Sequence, residues 1–200
     1  MNMLEVSVLA LLPMSFVPVP QTKGRLLVAT PPLEDPNFDR TVIYVLDHHA
    51  GGAVGVVLNH QSEEDDIDGL EAWVSRLSPP AAVFVGGPVE LDALIGLAMG
   101  DDRVDDAWGE LNHDVGTVDL AMDPIDVAQR ITKLRIFRGY AGWSPGQLDA
   151  EIDVGAWMVF DAEIDDVFTD QPDLLWRRVI RRQGGRLAWI ADAPDDLSAN

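Results

Sequence analysis

A strand, a glycine-rich turn and a helix are predicted to follow one another within FRGYAGWSPGQLDAEI, residues 137–152. Dense glycine implies backbone conformations that other residues resist, or a close approach by another group, so this segment restricts the fold strongly. Ser144 is predicted as the N-cap of the helix and Pro145 as its first residue. The turn and the helix carry the residues that give the segment its character: Gly139, Tyr140, Gly142, Trp143, Gly146, Gln147 and Glu151.

Strands and helices are predicted along the rest of the chain, with no linker and no internal repeat. Strands are predicted at 24–30, 41–47, 54–58, 82–85, 115–122, 134–140 and 157–161, with 48–52 as a hairpin connection. Helices are predicted at 69–76, 124–132 and 145–152, and from 170–172 to 184–185, whereas 90–98 fits either type and 101–112 fits an acidic loop. Hairpins mixed with strand-helix-strand units predict a single α+β (mixed α/β) domain, with a mixed, largely antiparallel sheet and flanking helices.

The charge of the chain restricts its partners. There are 34 acidic and 14 basic residues, which give a formal net charge of -20. Such a chain repels phosphate backbones and anionic lipid surfaces, so neither nucleic acid nor a membrane is expected as a partner. The absence of cysteine excludes disulfides and thiolate chemistry.

The first 22 residues are apolar, but they do not fit a spanning helix or a signal peptide. Glu5 stands where a signal peptide would carry basic residues, and three prolines interrupt the apolar run. A spanning helix needs about 20 uninterrupted apolar residues. We interpret residues 1–22 as an N-terminal extension and residues 23–200 as the folded domain.

Four ordered segments together resemble the AlgH/YqgE family of bacterial proteins: GRLLVATPPLEDPNFDRTVIYVLDH, GAVGVVLN, FVGGPV and FRGYAGWSPGQLDAEI. The resemblance implies a cytoplasmic α/β domain without an established activity. Members of the family are labelled as regulators because of a genetic association with alginate production. One departure is that His60-Gln61 follow the asparagine, where the family often has Arg-Pro. The matching positions are Asp35, Pro36, Phe38 and Arg40; Asp47 and His48; Gly55 and Asn59; Gly86, Gly87 and Pro88; and Tyr140, Gly142, Trp143, Gly146, Gln147, Leu148 and Glu151.

The chain also contains a G-x-S-x-G pattern at residues 142–146, but two features argue against a serine hydrolase. Pro145 lacks the backbone N–H that an oxyanion hole would take from the residue after Ser144. All four histidines also precede the serine, whereas the hydrolase order needs one after it.

Polar and glycine residues at strand ends and turns form the predicted binding site, because sites are often built there. We expect a small molecule or another protein as the partner, with no catalytic residue, no cofactor and no metal. Arg40 suits a carboxylate or phosphate, because its guanidinium can donate two parallel hydrogen bonds. The predicted set is Arg40, His48, Asn59, Gly86, Gly87, Tyr140, Trp143, Gln147 and Glu151.

Structural explanations remain open for the same residues. Glu151 could pair with an arginine or cap a loop, and Arg40 could pair with Asp35 or Asp39. Gly86 and Gly87 could form a tight turn packed against another backbone.

Two further functions also remain open. One is an enzyme that uses Glu151 or His48 as its acid/base. The other is a regulator that contacts nucleic acid through the helix bearing Arg177, Arg178, Arg181 and Arg182.

Overall fold

A nine-stranded sheet lies at the centre of the computed structural model, which describes residues 22–31, 38–62, 69–100, 108–112, 115–128 and 131–191. Its strands are β1 (Arg25–Ala29), β2 (Val42–His49), β3 (Gly52–Val57), β4 (Val83–Val85), β5 (Val89–Gly100), β6 (Trp108–Asn112), β7 (Val115–Val118), β8 (Ile131–Trp143) and β9 (Trp157–Asp161). Eight of them lie in the order β6-β7-β5-β8-β3-β2-β1-β9, and all neighbours in this order are antiparallel. Strand β4 pairs in parallel with β8. The sheet is therefore mixed and largely antiparallel, which confirms the predicted fold class.

Six helices are found in the described residues, and they cover both faces of the sheet. They are α1 (Glu71–Val74), α2 (Pro124–Ala128), α3 (Gln147–Asp153), α4 (Ile164–Val167), α5 (Pro172–Arg182) and α6 (Gly185–Ile190). Helix α5 has Pro172 in its first turn, where the sequence predicts the helix to start, and Arg181 and Arg182 in its last turn.

The larger hydrophobic core joins α4, α5 and α6 to one face of the sheet. Trp176 and Ile180 of α5 pack there with Val28, Tyr44 and Phe137 of the sheet, and all five are almost completely buried. Fully burying each such side chain contributes about 1.5–3 kcal/mol. Helix α5 is thus held firmly against the sheet, although it comes from the other end of the chain.

Two smaller clusters lie on the opposite face. One packs Trp73 of α1 and Val127 of α2 on Leu134 and Ile136 of β8. The other includes Leu148 of α3, packed on the sheet beside the indole rings of β8 and β9. On this face, α1 and α2 therefore pack on one part of the sheet, and α3 packs on another.

Strand β8 corrects the prediction for residues 137–143. The predicted strand ends at Tyr140 in a glycine-rich turn, but β8 continues to Trp143 and pairs with β3 across that segment. Its pairing with β5 shifts between Arg138 and Tyr140, and Gly139 has a φ of 68° at this bulge. The bulge places Phe137 and Tyr140 against the same core, although they are three residues apart. Gly139 therefore allows a bend within the strand.

Helix α3 begins later than predicted. Its N-cap is Gly146, with a φ of 72°, so the prediction that Ser144 is the N-cap is wrong. The backbone N–H of Ser144 instead donates to Oε1 of Gln147 over 3.0 Å. The side chain of Gln147 thus reaches back to the residue that was expected to cap the helix.

The remaining differences come from tertiary pairing and short elements. Residues 90–98, which fit either type, belong to β5, and residues 108–112 of the predicted acidic loop form β6. Strand β6 pairs with β7, and this pairing has no local signal in the sequence. Helices α4 and α6 are too short for a periodic pattern to reveal them.

Candidate functional site

The nine predicted binding residues fall into three sets of contacts. Arg40 and Asn59 form the first set, and Gly86, Gly87 and Tyr140 form the second. Trp143, Gln147 and Glu151 form the third, and His48 reaches the same helix through Asp149.

Arg40 is held in an uncommon backbone conformation by the side chain of Asn59. Its φ is 50°, in the left-handed region that non-glycine residues rarely adopt. The amide of Asn59 donates from Nδ2 to the carbonyl oxygen of Arg40 over 3.0 Å, and Oδ1 accepts from the N–H of Val42 over 2.8 Å. Asn59 therefore clamps the backbone on both sides of Thr41 and fixes the position from which Arg40 projects.

The side chain of Arg40 lies at a cleft between the sheet and α5. Its guanidinium carbon is 5.0 Å from the ring centroid of Trp176, a distance that allows a cation–π contact. The indole of Trp176 is itself fixed, because its N–H donates to the carbonyl oxygen of Ala29 over 2.8 Å. The cleft has a volume of about 380 Å³ and is lined by Asp39, Arg40, Asn59 and His60 from one side and Asp173, Leu174, Trp176 and Arg177 from α5. We call it the Arg40 cleft.

Burial in this cleft lowers the pKa of His60 below its ordinary value, and the charge of Asp39 opposes that shift. The unfolded chain therefore takes up a proton at a higher pH than the folded chain does. The stability that neutral His60 contributes is present above its ordinary pKa of about 6.5 and is lost as the pH falls through the lowered pKa of the folded state.

We expect this linkage to appear in urea unfolding. Between about pH 7.5 and about pH 5, the wild type should lose more stability than His60→Gln does. His49→Gln is the matched control, because the His49 side chain is 64% exposed, and it should behave like the wild type. Equal losses in the wild type and in His60→Gln would show that His60 titrates alike in the folded and unfolded chains.

Gly86 and Gly87 form a turn packed against the backbone of β8. A Cβ atom on Gly86 would overlap the carbonyl oxygen of Gly139, and one on Gly87 would overlap the backbone of Tyr140 and Ala141. The N–H of Gly86 donates to the carbonyl oxygen of Arg138 over 2.8 Å. These contacts favour the explanation of a tight turn packed against another backbone.

Tyr140 lies beside that turn, on the strand that the glycines approach. Burial raises the pKa of its hydroxyl, and the hydrogen bond and charge of Glu90 raise it further. The hydrogen bond with Glu90 thus joins Tyr140 to β5, and the Tyr140 side chain also packs against the larger core.

Glu151 accepts hydrogen bonds from three side chains. Its Oε2 is 2.8 Å from Nε1 of Trp143 and 2.8 Å from Nε1 of Trp157, and its Oε1 is 3.0 Å from Nε2 of Gln147. The two indole rings also meet edge to face, with centroids 6.1 Å apart. The carboxylate therefore joins α3 to β8 and β9; these contacts involve neither an arginine nor a loop cap.

His48 lies between the start of the described chain and α3. Its side chain is 3% exposed, Nδ1 is 2.7 Å from Oγ1 of Thr22, and Nε2 is 3.7 Å from Oδ1 of Asp149. Across the described parts of the chain, no group of three or more His, Cys, Asp or Glu residues could hold a metal ion.

Two arginines of α5 contact acidic residues and carbonyl groups near α4. Arg182 donates to Oδ2 of Asp166 over 2.6 Å and to the carbonyl oxygen of Asp161 over 2.7 Å. Arg178 is 3.4 Å from the same carboxylate, and it donates to the carbonyl oxygen of Asp165 over 2.8 Å. Asp166 is 1% exposed, so the two arginines compensate a buried charge.

Comparison with known proteins gives one family. The sequence pattern of the AlgH-like family matches residues 26–188. The chain belongs to this family. A UPF0301 protein of Streptomyces avermitilis is 49% identical over 182 residues, which cover 88% of this chain and 94% of that protein. A UPF0301 protein of Thermobifida fusca is 48% identical over 187 residues, which also cover 88% of this chain and 94% of that protein.

Two solved structures have the same fold. Protein DIP2367 of Corynebacterium diphtheriae gives a TM-score of 0.80 at 31% identity, over 85% of this chain and 91% of that one. The solution structure of AlgH from Pseudomonas aeruginosa gives 0.66 at 28% identity, over 88% and 96%. The family has no characterised function.

The motifs that carry the AlgH-like resemblance take part in internal contacts wherever they are described. Asn59 clamps Arg40, Gly86 and Gly87 fit against β8, and Glu151 binds the indole of Trp143. Asp35 and Pro36 lie outside the described residues, as do residues 1–21 of the predicted extension. In the described segments, no helix is long and apolar enough to cross a membrane.

Sequence reasoning did not include His60, Trp176 or Arg177 in the site. Helix α5 brings the last two residues to the Arg40 cleft from more than a hundred residues away in the chain. No local signal reports such an approach. The one usable signal was the position of His60, directly after the asparagine of a matched motif.

Proposed function

We propose that this AlgH-like chain is a non-enzymatic binding protein, and that its ligand is a small molecule with a carboxylate or phosphate held in the Arg40 cleft. The observation that carries this proposal is the clamped, left-handed backbone of Arg40 in the lining of a cleft. Such a conformation costs about 1–3 kcal/mol, and strained residues cluster at functional sites. A regulatory role, which the family label suggests, would follow from this binding.

The chemistry of the lining suits a small anion. A guanidinium binds a carboxylate or phosphate through two parallel hydrogen bonds, and Arg177 lines the same cleft. Asp39 and Asp173 also line it, so two acids stand beside the two arginines, and this balance suits a ligand with a single anionic group better than a polyanion. Trp176 and Leu174 provide apolar contact for the rest of the ligand.

A thermal-shift screen of metabolite carboxylates and phosphate esters tests the proposal. A ligand at about 100 times its Kd stabilises the native state by about 2.7 kcal/mol, which is about 5–10 °C in Tm for a chain of this size. We expect Arg40→Ala to remove this shift. Arg25→Ala is the control, because Arg25 pairs with Asp161 at 3.0 Å and does not line the Arg40 cleft.

Two outcomes would contradict the proposal. In the first, no compound shifts the Tm of the wild type. In the second, Arg40→Ala keeps the full shift.

The other two functions have weaker support. An enzyme would need Glu151 or His48 at an open site, but Glu151 accepts three hydrogen bonds and the His48 side chain is 3% exposed. A regulator that contacts nucleic acid would have to release Arg178 and Arg182 from Asp166. The cytoplasmic location implied by the resemblance stays a prediction, and cell fractionation would test it.

A further inference from the structure

A second cleft, larger than the Arg40 cleft, lies where the segment after α1, the start of β8 and the α4–α5 connection meet. Its volume is about 550 Å³, and it shares no lining residue with the Arg40 cleft. Ligand pockets usually have volumes of about 300–1,000 Å³. We call it the Lys133 cleft, after the lysine that lines it from β8.

The walls of the Lys133 cleft are tied together by a buried arginine. Arg135 is 1% exposed, and its Nη2 donates to the carbonyl oxygen of Pro79 over 2.9 Å and to that of Thr169. Pro79 and Thr169 lie on two different walls. Nη1 also donates to the carbonyl oxygen of Val167 over 3.4 Å.

The position of Arg135 is fixed further by the aromatic ring below it. The guanidinium carbon lies 4.3 Å from the centroid of Phe84. Burial lowers the pKa of Arg135 to about 10, so the group is still charged at neutral pH. A buried charge that bonds to both walls keeps the cleft at a set width.

Positive charge exceeds negative charge in the lining of this cleft. Arg76 in the segment after α1, Lys133 of β8 and Arg178 of α5 line it against the two acids Asp165 and Asp170, and Arg178 also lies 3.4 Å from the carboxylate of Asp166. Nζ of Lys133 is 3.2 Å from Oδ1 of Asp165, so one acid compensates part of this charge. A local excess of basic groups in a chain of net charge -20 singles out this cleft for an anion.

We propose that the Lys133 cleft binds a small phosphate monoester whose organic part is apolar. A phosphate group offers three strong acceptor oxygens, which matches cations that approach from three segments of the chain. Leu77, Pro79 and Phe168 line the same cleft and provide apolar contact for the organic part. This site is independent of the one proposed at Arg40.

Calorimetric titration of the full chain tests the proposal, with phenyl phosphate, inorganic phosphate, benzoate and benzyl alcohol as probes. We expect phenyl phosphate to bind about tenfold more tightly than inorganic phosphate, because its ring adds an apolar contact. We expect benzoate to bind more weakly than phenyl phosphate, and benzyl alcohol not to bind. Lys133→Gln should weaken phenyl phosphate about tenfold, because it removes one charged hydrogen bond, and Arg25→Gln should leave its affinity unchanged.

Arg76→Gln gives a second variant of the cleft, and Arg40→Ala separates the two clefts. Arg76→Gln should weaken phenyl phosphate as Lys133→Gln does, and Arg40→Ala should not. The proposal is overturned if phenyl phosphate does not bind, or if it binds equally to the wild type and to both cleft variants. It is also overturned if binding is lost in Arg40→Ala and kept in Lys133→Gln, or if benzoate binds as tightly as phenyl phosphate.

Discussion

Gly87→Ala is expected to lower the free energy of unfolding by about 4 kcal/mol, or to prevent folding. Gly87 has a φ of 150°, and a Cβ atom there would overlap the backbone of Tyr140 and Ala141. Both residues belong to β8, a central strand whose backbone cannot move without breaking its pairing with β3 and β5. Urea unfolding followed by tryptophan fluorescence measures the loss.

Gly155→Ala separates backbone strain from overlap. Gly155 has a φ of 80°, but no atom lies within 4 Å of the Cβ position there. Its substitution should cost about 1–2 kcal/mol, from strain alone. If Gly87→Ala cost no more than Gly155→Ala, the turn would not pack against β8 as described.

Glu151→Ala is expected to lower the free energy of unfolding by about 3 kcal/mol. The substitution leaves the indole N–H groups of Trp143 and Trp157 without their acceptor, and both rings are almost completely buried. Each buried donor that loses its partner costs about 1–3 kcal/mol. The loss should appear in urea unfolding, together with a change in tryptophan fluorescence.

Asp153→Ala is the matched control for this substitution. Asp153 is an exposed acid on the same helix, so its removal should change stability by about 0.5 kcal/mol or less. Glu151→Gln should fall between the two, because the amide keeps one acceptor oxygen but loses the charge. If Glu151→Ala were as stable as the wild type, the hydrogen bonds of Glu151 would not stabilise the fold. The carboxylate would then be available for a ligand or for acid/base chemistry.

The two predictions concern residues that the sequence placed in one binding site. In the structure their contacts are internal: the glycine turn fits against β8, and the carboxylate joins α3 to two strands. Of the nine predicted residues, Arg40 and Asn59 are the pair that lines a described cleft. Most of the sequence fingerprint therefore explains how the sheet is bent and how its helices are attached.

Local signals predicted the elements that depend on local chemistry. Runs of β-branched residues predicted β1, β2 and β3, and the glycines after His49 predicted the hairpin connection between β2 and β3. A proline after Gln171 predicted the start of α5. These features are determined by residues that lie close together in the chain.

Long-range contacts explain what the sequence did not reveal. Glycine density in residues 139–142 predicted a turn, but Gly139 admits the backbone of Gly87 and Val89, and β8 stays intact. The Arg40 cleft was only half predictable for a related reason. Arg40 and Asn59 belong to recognisable motifs, whereas Trp176 reaches them because α5 folds across the sheet.

The affinity of Arg40→Ala for the compound that stabilises the wild type most is the most direct test of the proposed function. Isothermal titration calorimetry should show about 100-fold weaker binding, because the variant lacks two charged hydrogen bonds worth about 1.5 kcal/mol each. Arg25→Ala should bind like the wild type. Equal affinities of Arg40→Ala and the wild type would contradict the account and place the ligand away from Arg40.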